Sequence, residues 1–92
     1  EVFQVMTDIT ALKLLIVGHT SSEGDDNYNL KLSTKRALSI SAYLQNKGVN
    51  AERLSTEGKG ASAPISSNDT EEGRSLNRRI EFVITDDGVE NN

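Results

Sequence analysis

The stretch GHTSSEGDDNYNLKLSTKRA, residues 18–37, decides the fold of this chain of 92 residues. It follows an apolar run, residues 14–17, whose length and ending at Gly18 favour a buried strand. It leads into an amphipathic pattern that predicts a helix beginning near Ser33, with the Ser33 hydroxyl as the N-cap. A polar loop therefore connects a strand to a helix N-terminus, which is a common way to build an anion site.

Arg36 is the residue of this stretch that points to a function. The predicted helix places it in the first turn, where a cation opposes the helix dipole and has no evident stabilising role. A planar guanidinium beside free backbone N–H groups is suited to bind a carboxylate. Arg74, Arg78 and Arg79 are clustered within six residues, and we expect Arg36 to lie at the same place.

Hydrophobic periodicity and capping signals predict the other elements. In chain order they are a helix over residues 2–9, a strand over 12–17, the long helix from Ser33 to a left-handed Gly48, a strand over 53–57, a short helix capped within 68–70 and a strand over 79–84. This order indicates an α+β fold with helices on one face of a sheet. The last residues, 86–92, are predicted to form a flexible acidic tail.

Composition limits the class of protein. Hydrophobic residues make up 35% of the chain, but they are clustered, which indicates one folded domain, residues 1–85, with a very polar surface. The net charge of −4 argues against a nucleic-acid binder that relies on phosphate neutralisation. The absence of cysteine excludes a thiolate metal site and a thiol nucleophile. No run reaches the roughly 18 apolar residues of a membrane span. The chain starts at Glu1 within a helical pattern, so we expect a fragment whose targeting segment lies upstream.

His19, the one histidine, suggests two chemical alternatives. A hydrolase triad would combine it with Ser21 and Asp25, but the chain has no GxSxG elbow. A metal site would combine it with acidic residues of the segment 23–26, but the glycine and glutamate positions of a calcium-binding loop are absent. A structural histidine beside a solvated acidic loop is the simpler interpretation. We therefore predict no catalytic residue, metal ion or cofactor.

A dispersed pattern of residues runs from Leu14 to Ile84. It comprises Gly18-His19-Thr20, Tyr28-Asn29, Leu32-Ser33, Arg36-Ala37, Gly48-Val49, Arg53-Leu54, Gly58, Gly60, Pro64, Asn68, Thr70, Gly73-Arg74 and Asn77-Arg78-Arg79 with Glu81. The pattern resembles the C-terminal domain of OmpA-like proteins, a family that includes the peptidoglycan-associated lipoprotein and MotB. This resemblance implies a β-α-β-α-β-β domain, a two-layer sandwich with a mixed sheet, whose first strand is missing from this fragment.

The resemblance also implies a function without catalysis. Family members bind the diaminopimelate residue of the peptidoglycan stem peptide and anchor an envelope protein to the cell wall. The implied location is the periplasmic face of the envelope, in an outer-membrane protein or lipoprotein, with membrane contact only through upstream parts. A homodimer is left open, and nucleic acid is not an expected partner. The ligand-binding residues expected on this basis are Ser21, Asn29, Leu32, Ser33, Arg36, Asn77 and Arg78.

Ser21 is the position at which the chain departs from the family. Family members hold diaminopimelate as a zwitterion, with an Asp at this position for the ammonium group and the Arg matching Arg36 for the carboxylate. Loss of one such charge-assisted contact costs about 1.5–3 kcal/mol. Glu23, Asp25 and Asp26 are candidates to supply the missing carboxylate. The alternative function is an OmpA-like scaffold with weakened or lost peptidoglycan binding that serves protein–protein contact.

Overall fold

The computed structural model describes Gln4 and residues 12–86. Its elements are β1 (Leu12–Gly18), α1 (Asp26–Asn46), a 3-10 turn (Ala51–Arg53), β2 (Leu54–Gly58), α2 (Glu71–Asn77) and β3 (Ile80–Asp86). Only Gln4 of the helix predicted over 2–9 is described, and the rest of that segment lies outside the described residues. Asp86 closes β3, and residues 87–92 of the predicted tail also lie outside. No helix in the described part is long and apolar enough to cross a membrane.

The central strand of the sheet is β1. The strand order is β2-β1-β3, with β1 parallel to β2 and antiparallel to β3. A parallel pair requires a crossover connection, and α1 supplies it between β1 and β2. The register places Gly18 opposite Gly58 on one side and Ile80 on the other. The predicted mixed sheet and α+β class are confirmed.

The hydrophobic core lies between β1 and α1. Leu14 and Ile16 of β1 pack with Ala37 and Leu44 of α1 and with Val49, and all five side chains are buried. The alternation of buried residues along β1 follows from the two-residue period of a strand, which turns every second side chain toward the helix. The core therefore fixes how α1 crosses the sheet.

The C-terminal end of α1 is as predicted. Gly48 has a φ of +107° and donates its N–H to the Gln45 carbonyl at 3.0 Å, while the Val49 N–H reaches the Leu44 carbonyl at 3.0 Å. These two bonds form a Schellman motif, in which a left-handed glycine lets the chain leave the helix. Because Val49 and Leu44 both belong to the core, the motif also directs the chain back toward the sheet.

The predicted start of this helix is wrong. α1 begins at Asp26, and the Oδ1 atom of the N-cap residue Asp25 accepts a hydrogen bond from the Tyr28 N–H at 2.8 Å. Ser33 is an interior residue of α1 and fully buried. The buried face of the first half of the helix consists of Asn29 and Ser33, which are polar. Hydrophobic periodicity therefore cannot detect that half.

Two glycines at the strand ends, Gly18 and Gly58, let α1 approach the sheet closely. A Cβ atom placed on Gly18 would lie 2.2 Å from the Ser33 carbonyl oxygen, and one on Gly58 would lie 2.1 Å from the Thr34 Oγ1 atom. Real Cβ atoms do not approach other atoms so closely, so the strand ends and α1 pack almost backbone to backbone. This close packing sets the position of every α1 side chain near the strand ends.

Candidate ligand-binding site

The candidate site lies where three connecting segments meet at the carboxyl end of β1. The Thr20 N–H donates to the Gly60 carbonyl at 2.8 Å, which joins the loop after β1 to the loop after β2. The His19 N–H donates to the Arg79 carbonyl at 2.9 Å, which adds the turn before β3. Residues that are far apart in the sequence are thereby brought to one edge of the sheet.

A cavity of about 360 Å³ is lined by Arg36, Arg78, Arg79 and Ile80. The structure thus brings Arg36 of α1 together with the arginines that precede β3, as the charge pattern predicts. Three guanidinium groups thus lie at one cavity in a chain of net negative charge. The arrangement is suited to an anionic group, and Ile80 adds an apolar wall.

Arg36 carries the uncompensated charge of this cavity. It is exposed, and no acidic side chain within residues 12–86 pairs with it. The prediction that it lies in the first turn of a helix is wrong, because α1 begins at Asp26 and Arg36 is well inside it. Neither free backbone N–H groups nor the positive end of the dipole therefore assists Arg36, and its own guanidinium is the unpaired positive charge of the cavity.

Arg79 is a structural member of the cluster. Its Nε atom donates to Glu81 Oε2 at 2.7 Å, and its Nη2 atom donates to the Ala63 carbonyl at 2.8 Å. The hydrogen bond from Arg79 holds the pKa of Glu81 below its usual range. Arg79 thus ties β3 to the loop after β2 and forms a fixed wall of the cavity.

Arg78 is paired with two carboxylates. Its Nη2 atom lies 2.5 Å from Glu71 Oε2, and its Nη1 atom lies 3.3 Å from Glu23 Oε1. Arg74 Nε joins the same group at 3.3 Å from Glu71 Oε1. The hydrogen bond from Arg78 lowers the pKa of Glu71. This cluster of Glu23, Glu71, Arg74 and Arg78, called the acid–arginine cluster below, has no net formal charge.

Ser33 does not contact the cavity. Its hydroxyl donates to the Leu30 carbonyl at 3.0 Å and accepts from the Gly60 N–H at 2.9 Å, and the residue has no exposed surface. Its predicted role as a ligand contact is therefore corrected to that of holding α1 against the loop after β2.

The predicted role of Asn77 as a ligand contact is corrected in the same way. Its Oδ1 atom accepts from the N–H groups of Ile65 and Ser66 at 2.8 and 3.0 Å, and its Nδ2 atom donates to Asn68 Oδ1 at 2.9 Å and to the Ser66 carbonyl at 3.0 Å. The side chain is fully buried, and both of its polar atoms are used. Asn77 therefore shapes the loop before α2, and its polar atoms are used within the protein rather than offered to a ligand.

Asn29 and Leu32 also stand apart from the arginine-lined cavity. Asn29 is buried where α1 meets Gly60, and its Nδ2 atom has no hydrogen-bond partner among the described residues. Leu32 is half-buried on α1. Neither residue lines the cavity, and their participation in ligand binding stays a prediction.

Ser21 and His19 do not form a catalytic pair. The Ser21 hydroxyl donates to Glu23 Oε1 at 3.1 Å, while the buried His19 ring has Nε2 3.2 Å from Glu81 Oε1. Asp25 is occupied as the cap of α1. A nucleophilic serine needs a base within hydrogen-bond reach, and here its hydroxyl contacts a carboxylate instead. Within the described residues, no group of three or more metal-ligating side chains could hold a metal ion.

The acid–arginine cluster is the part of the site that sequence reasoning missed. Glu71 and Arg74 are three residues apart on α2, a spacing that places side chains on one helix face and that a search for charge pairs could find. The contact from Glu23 to Arg78 joins residues 55 apart and leaves no local signal.

A second cavity, of about 500 Å³, is lined by Asp26, Leu30 and residues 57–62. It contains none of the seven predicted ligand-binding residues, although Asp26, a candidate for the missing carboxylate, lines it. Its one cation, Lys59, lies 4.0 Å from Glu57. The smaller cavity is therefore the one that matches the predicted chemistry.

The domain combines a mixed sheet with an arginine-lined cavity close to the carboxyl end of β1. The chain belongs to the OmpA family, whose family model matches residues 1–78. The fold expected from the resemblance is thereby confirmed.

Three similar proteins show the kinds of relatives that the chain has. Outer membrane protein A of Bordetella avium is 48% identical over 84 residues, covering 91% of this chain and 43% of that protein. Peptidoglycan-binding protein ArfA of Mycobacterium bovis is 40% identical over 72 residues, covering 78% of this chain and 22% of that protein. The crystal structure of the peptidoglycan-associated lipoprotein from Burkholderia pseudomallei matches with a TM-score of 0.86 at 28% identity, covering 90% of this chain and 70% of that one. The chain spans less than half the length of both of the first two relatives.

Proposed function

We propose that this domain binds the peptide stem of peptidoglycan without catalysis and that Arg36 receives the carboxylate of a diaminopimelate residue. The observation that carries the proposal is that Arg36, without an acidic partner in residues 12–86, faces the same cavity as Arg78. Arg78 and Arg79 are already neutralised by carboxylates, so Arg36 supplies the charge that attracts a ligand. Its planar fork suits two parallel hydrogen bonds to a carboxylate.

The rest of the cavity suits the other parts of such a ligand. Its volume of about 360 Å³ admits a side chain rather than a large cofactor. Ile80 offers an apolar surface for the methylene chain between the two ends of diaminopimelate. The hydrogen bonds of Arg79 to Glu81 and to the Ala63 carbonyl keep one cavity wall in place before binding, which reduces the entropy lost when the ligand binds.

The relatives support the same class of ligand. Two of them are named as a peptidoglycan-binding protein and a peptidoglycan-associated lipoprotein. We place this domain at the periplasmic face of the cell envelope, within an outer-membrane protein or lipoprotein whose other parts provide the tether. In this setting, non-covalent binding of the stem peptide anchors the envelope protein to the cell wall. Homodimerisation stays a prediction.

Calorimetric titration with a diaminopimelate-containing muropeptide tests the proposal. We expect Arg36→Ala to weaken binding by about ten- to a hundredfold, because one charge-assisted contact of about 1.5–3 kcal/mol is lost. Arg36→Lys keeps the charge but loses the fork, so we expect an intermediate loss. Lys35→Ala is the matched control, because Lys35 is an exposed cation on α1 that does not line the cavity. Equal affinities for Arg36→Ala and the parent would reject Arg36 as the receptor.

The second candidate function is a protein-binding scaffold that has lost the ligand. Ser21, which stands where the family resemblance expects an acid, favours this candidate because it removes a charge from the site. Two results together would favour the scaffold and reject the binding proposal. The parent chain would show no measurable binding of the muropeptide, and it would not be retained on purified cell-wall sacculi.

A further inference from the structure

The loop after β1 and the start of α1 contain three carboxylates that could replace the acid missing at Ser21, and the structure distinguishes among them. Asp25 caps α1, with its Oδ1 atom accepting from the Tyr28 N–H at 2.8 Å, and among the described residues it forms no ion pair with an arginine of the cavity. Asp26 lies in the first turn of α1 and lines the cavity of about 500 Å³, not the arginine-lined one. Glu23 is the remaining carboxylate.

Glu23 is held by Ser21, the residue at the position where the family has an acid. Its Oε1 atom accepts a hydrogen bond from the Ser21 hydroxyl at 3.1 Å. Ser21 is only 3% exposed, whereas the Glu23 side chain is 62% exposed. A buried hydroxyl therefore anchors a carboxylate whose other surface is open to solvent. The hydrogen bond also limits the rotamers of a flexible side chain, which reduces the entropy cost of using it in binding.

Arg78 connects this carboxylate to the cavity. Arg78 Nη1 lies 3.3 Å from Glu23 Oε1, and Arg78 also lines the cavity that Arg36 faces. One side chain thus separates the exposed carboxylate from the proposed carboxylate receptor. A ligand bearing a carboxylate and a nearby ammonium group could bridge the two positions.

Glu23 retains the capacity to accept another donor. A carboxylate has two oxygens with about four lone-pair sites. Glu23 Oε1 is used by Ser21 and Arg78, whereas Oε2 has only a longer contact, 3.7 Å to Arg74 Nε. Glu71, the other acid of the cluster, already contacts Arg74 and Arg78 through separate oxygens.

We infer that Glu23 receives the ammonium group of the bound stem peptide and that Ser21 positions it. This inference rests on the proposed function and assigns the cationic end of the same ligand. Ser21 then contributes through Glu23 rather than by direct contact, and the acid is supplied two residues later in the loop. The site becomes complementary to a zwitterion, with Arg36 at one end and Glu23 at the other.

The test compares two stem peptides that differ only at the side-chain amine of diaminopimelate, which is free in one and acetylated in the other. Calorimetric affinities are measured for the parent chain and for Glu23→Gln, Ser21→Ala and Glu72→Gln. Glu72 is the control because it is an exposed acid outside the acid–arginine cluster. Gln at position 23 can still accept from Ser21, and the side chain is exposed, so this variant retains the fold.

We expect the parent to prefer the free amine by about ten- to a hundredfold, the range of one charge-assisted contact. Glu23→Gln should reduce this preference to near unity while changing the affinity for the acetylated peptide little. Ser21→Ala should reduce the preference partially, an effect that a purely structural role would not produce. Glu72→Gln should keep the full preference.

A Glu23→Gln variant that keeps the parent's preference would overturn the inference. If Arg36→Ala weakens binding of both peptides at the same time, the proposed function stands and only the role of Glu23 fails. If the parent binds neither peptide, both fail together.

Discussion

The Ser33 hydroxyl accepts a hydrogen bond from the Gly60 N–H at 2.9 Å across the contact between α1 and the loop that follows β2. Both partners are buried, so water cannot replace the bond if it is lost. Ser33, whose sequence context indicates a helix cap, is thus a buried residue in the interior of α1 that hydrogen-bonds the helix to a loop. This role leads to a prediction that separates fold stability from binding.

Ser33→Ala should destabilise the domain by about 1–3 kcal/mol, because the Gly60 N–H is left buried without an acceptor. The midpoint of urea unfolding measures the loss. Ser39→Ala, an exposed serine on the same helix, is the control and should change stability little. At temperatures where Ser33→Ala remains folded, its muropeptide affinity should equal that of the parent. A selective loss of affinity with normal stability would show that Ser33 contacts the ligand after all.

Gly58→Ala should lower the free energy of unfolding of the domain by about 1–3 kcal/mol, the usual cost of overpacking. The added Cβ atom would lie 2.1 Å from Thr34 Oγ1 and 2.6 Å from the Thr34 backbone nitrogen. The hydroxyl could rotate away, but the backbone atom can move only if α1 shifts. Thermal unfolding gives the measurement, and Ser55→Ala on the exposed side of β2 provides the comparison. An unchanged melting temperature for Gly58→Ala would contradict the close approach of β2 and α1.

The strands and most of the caps could be predicted from the sequence because their signals are local. The apolar run of β1 ends at a glycine, and Gly48 ends α1 through bonds to residues a few positions earlier. The cap before α2 is also as predicted, with Thr70 Oγ1 accepting from the Gly73 N–H at 3.0 Å. In each case, the residue that gives the signal and the structure it produces are neighbours in the chain.

The first half of α1 and the acid–arginine cluster could not be predicted because their causes are distant in the sequence. The polar residue Ser33 is buried only because Gly18 and Gly58 let the strands approach it. Glu23 meets Arg78 only after the loops have been joined. The expectation that Arg36 and Arg78 lie close together is confirmed by the cavity that both line, but the helix-dipole argument is wrong, since Arg36 is inside α1.

Asn77→Ala should cost about 1–3 kcal/mol, because the N–H groups of Ile65 and Ser66, whose hydrogen bonds to Asn77 are part-buried, would both lose their acceptor. The loop before α2 would lose its main restraint, so hydrogen exchange of these two amides should become faster relative to core amides. Asn46→Ala at the exposed end of α1 is the matched control. Unchanged exchange at Ile65 and Ser66 would show that Asn77 does not hold this loop.

Acidification should destabilise the domain through Glu71 and Glu81. Hydrogen bonds from Arg78 and Arg79 lower the pKa of these two groups in the folded state from the ordinary value of 4.5. The unfolded chain therefore takes up protons at a higher pH than the folded domain does.

The stabilising contribution of both acids is consequently complete above about pH 4.5, and it is lost as the pH falls through the lowered folded-state values. Urea midpoints measured from pH 7 to pH 3 should fall in this window, and less steeply in Glu71→Gln and in Glu81→Gln. Both carboxylates are exposed, so the effect should be small and should shrink in high salt. Glu72→Gln, which removes an acid outside both ion pairs, should keep the parent's slope. If Glu71→Gln and Glu81→Gln also kept that slope, the ion pairs with Arg78 and Arg79 would not be the origin of the acid sensitivity.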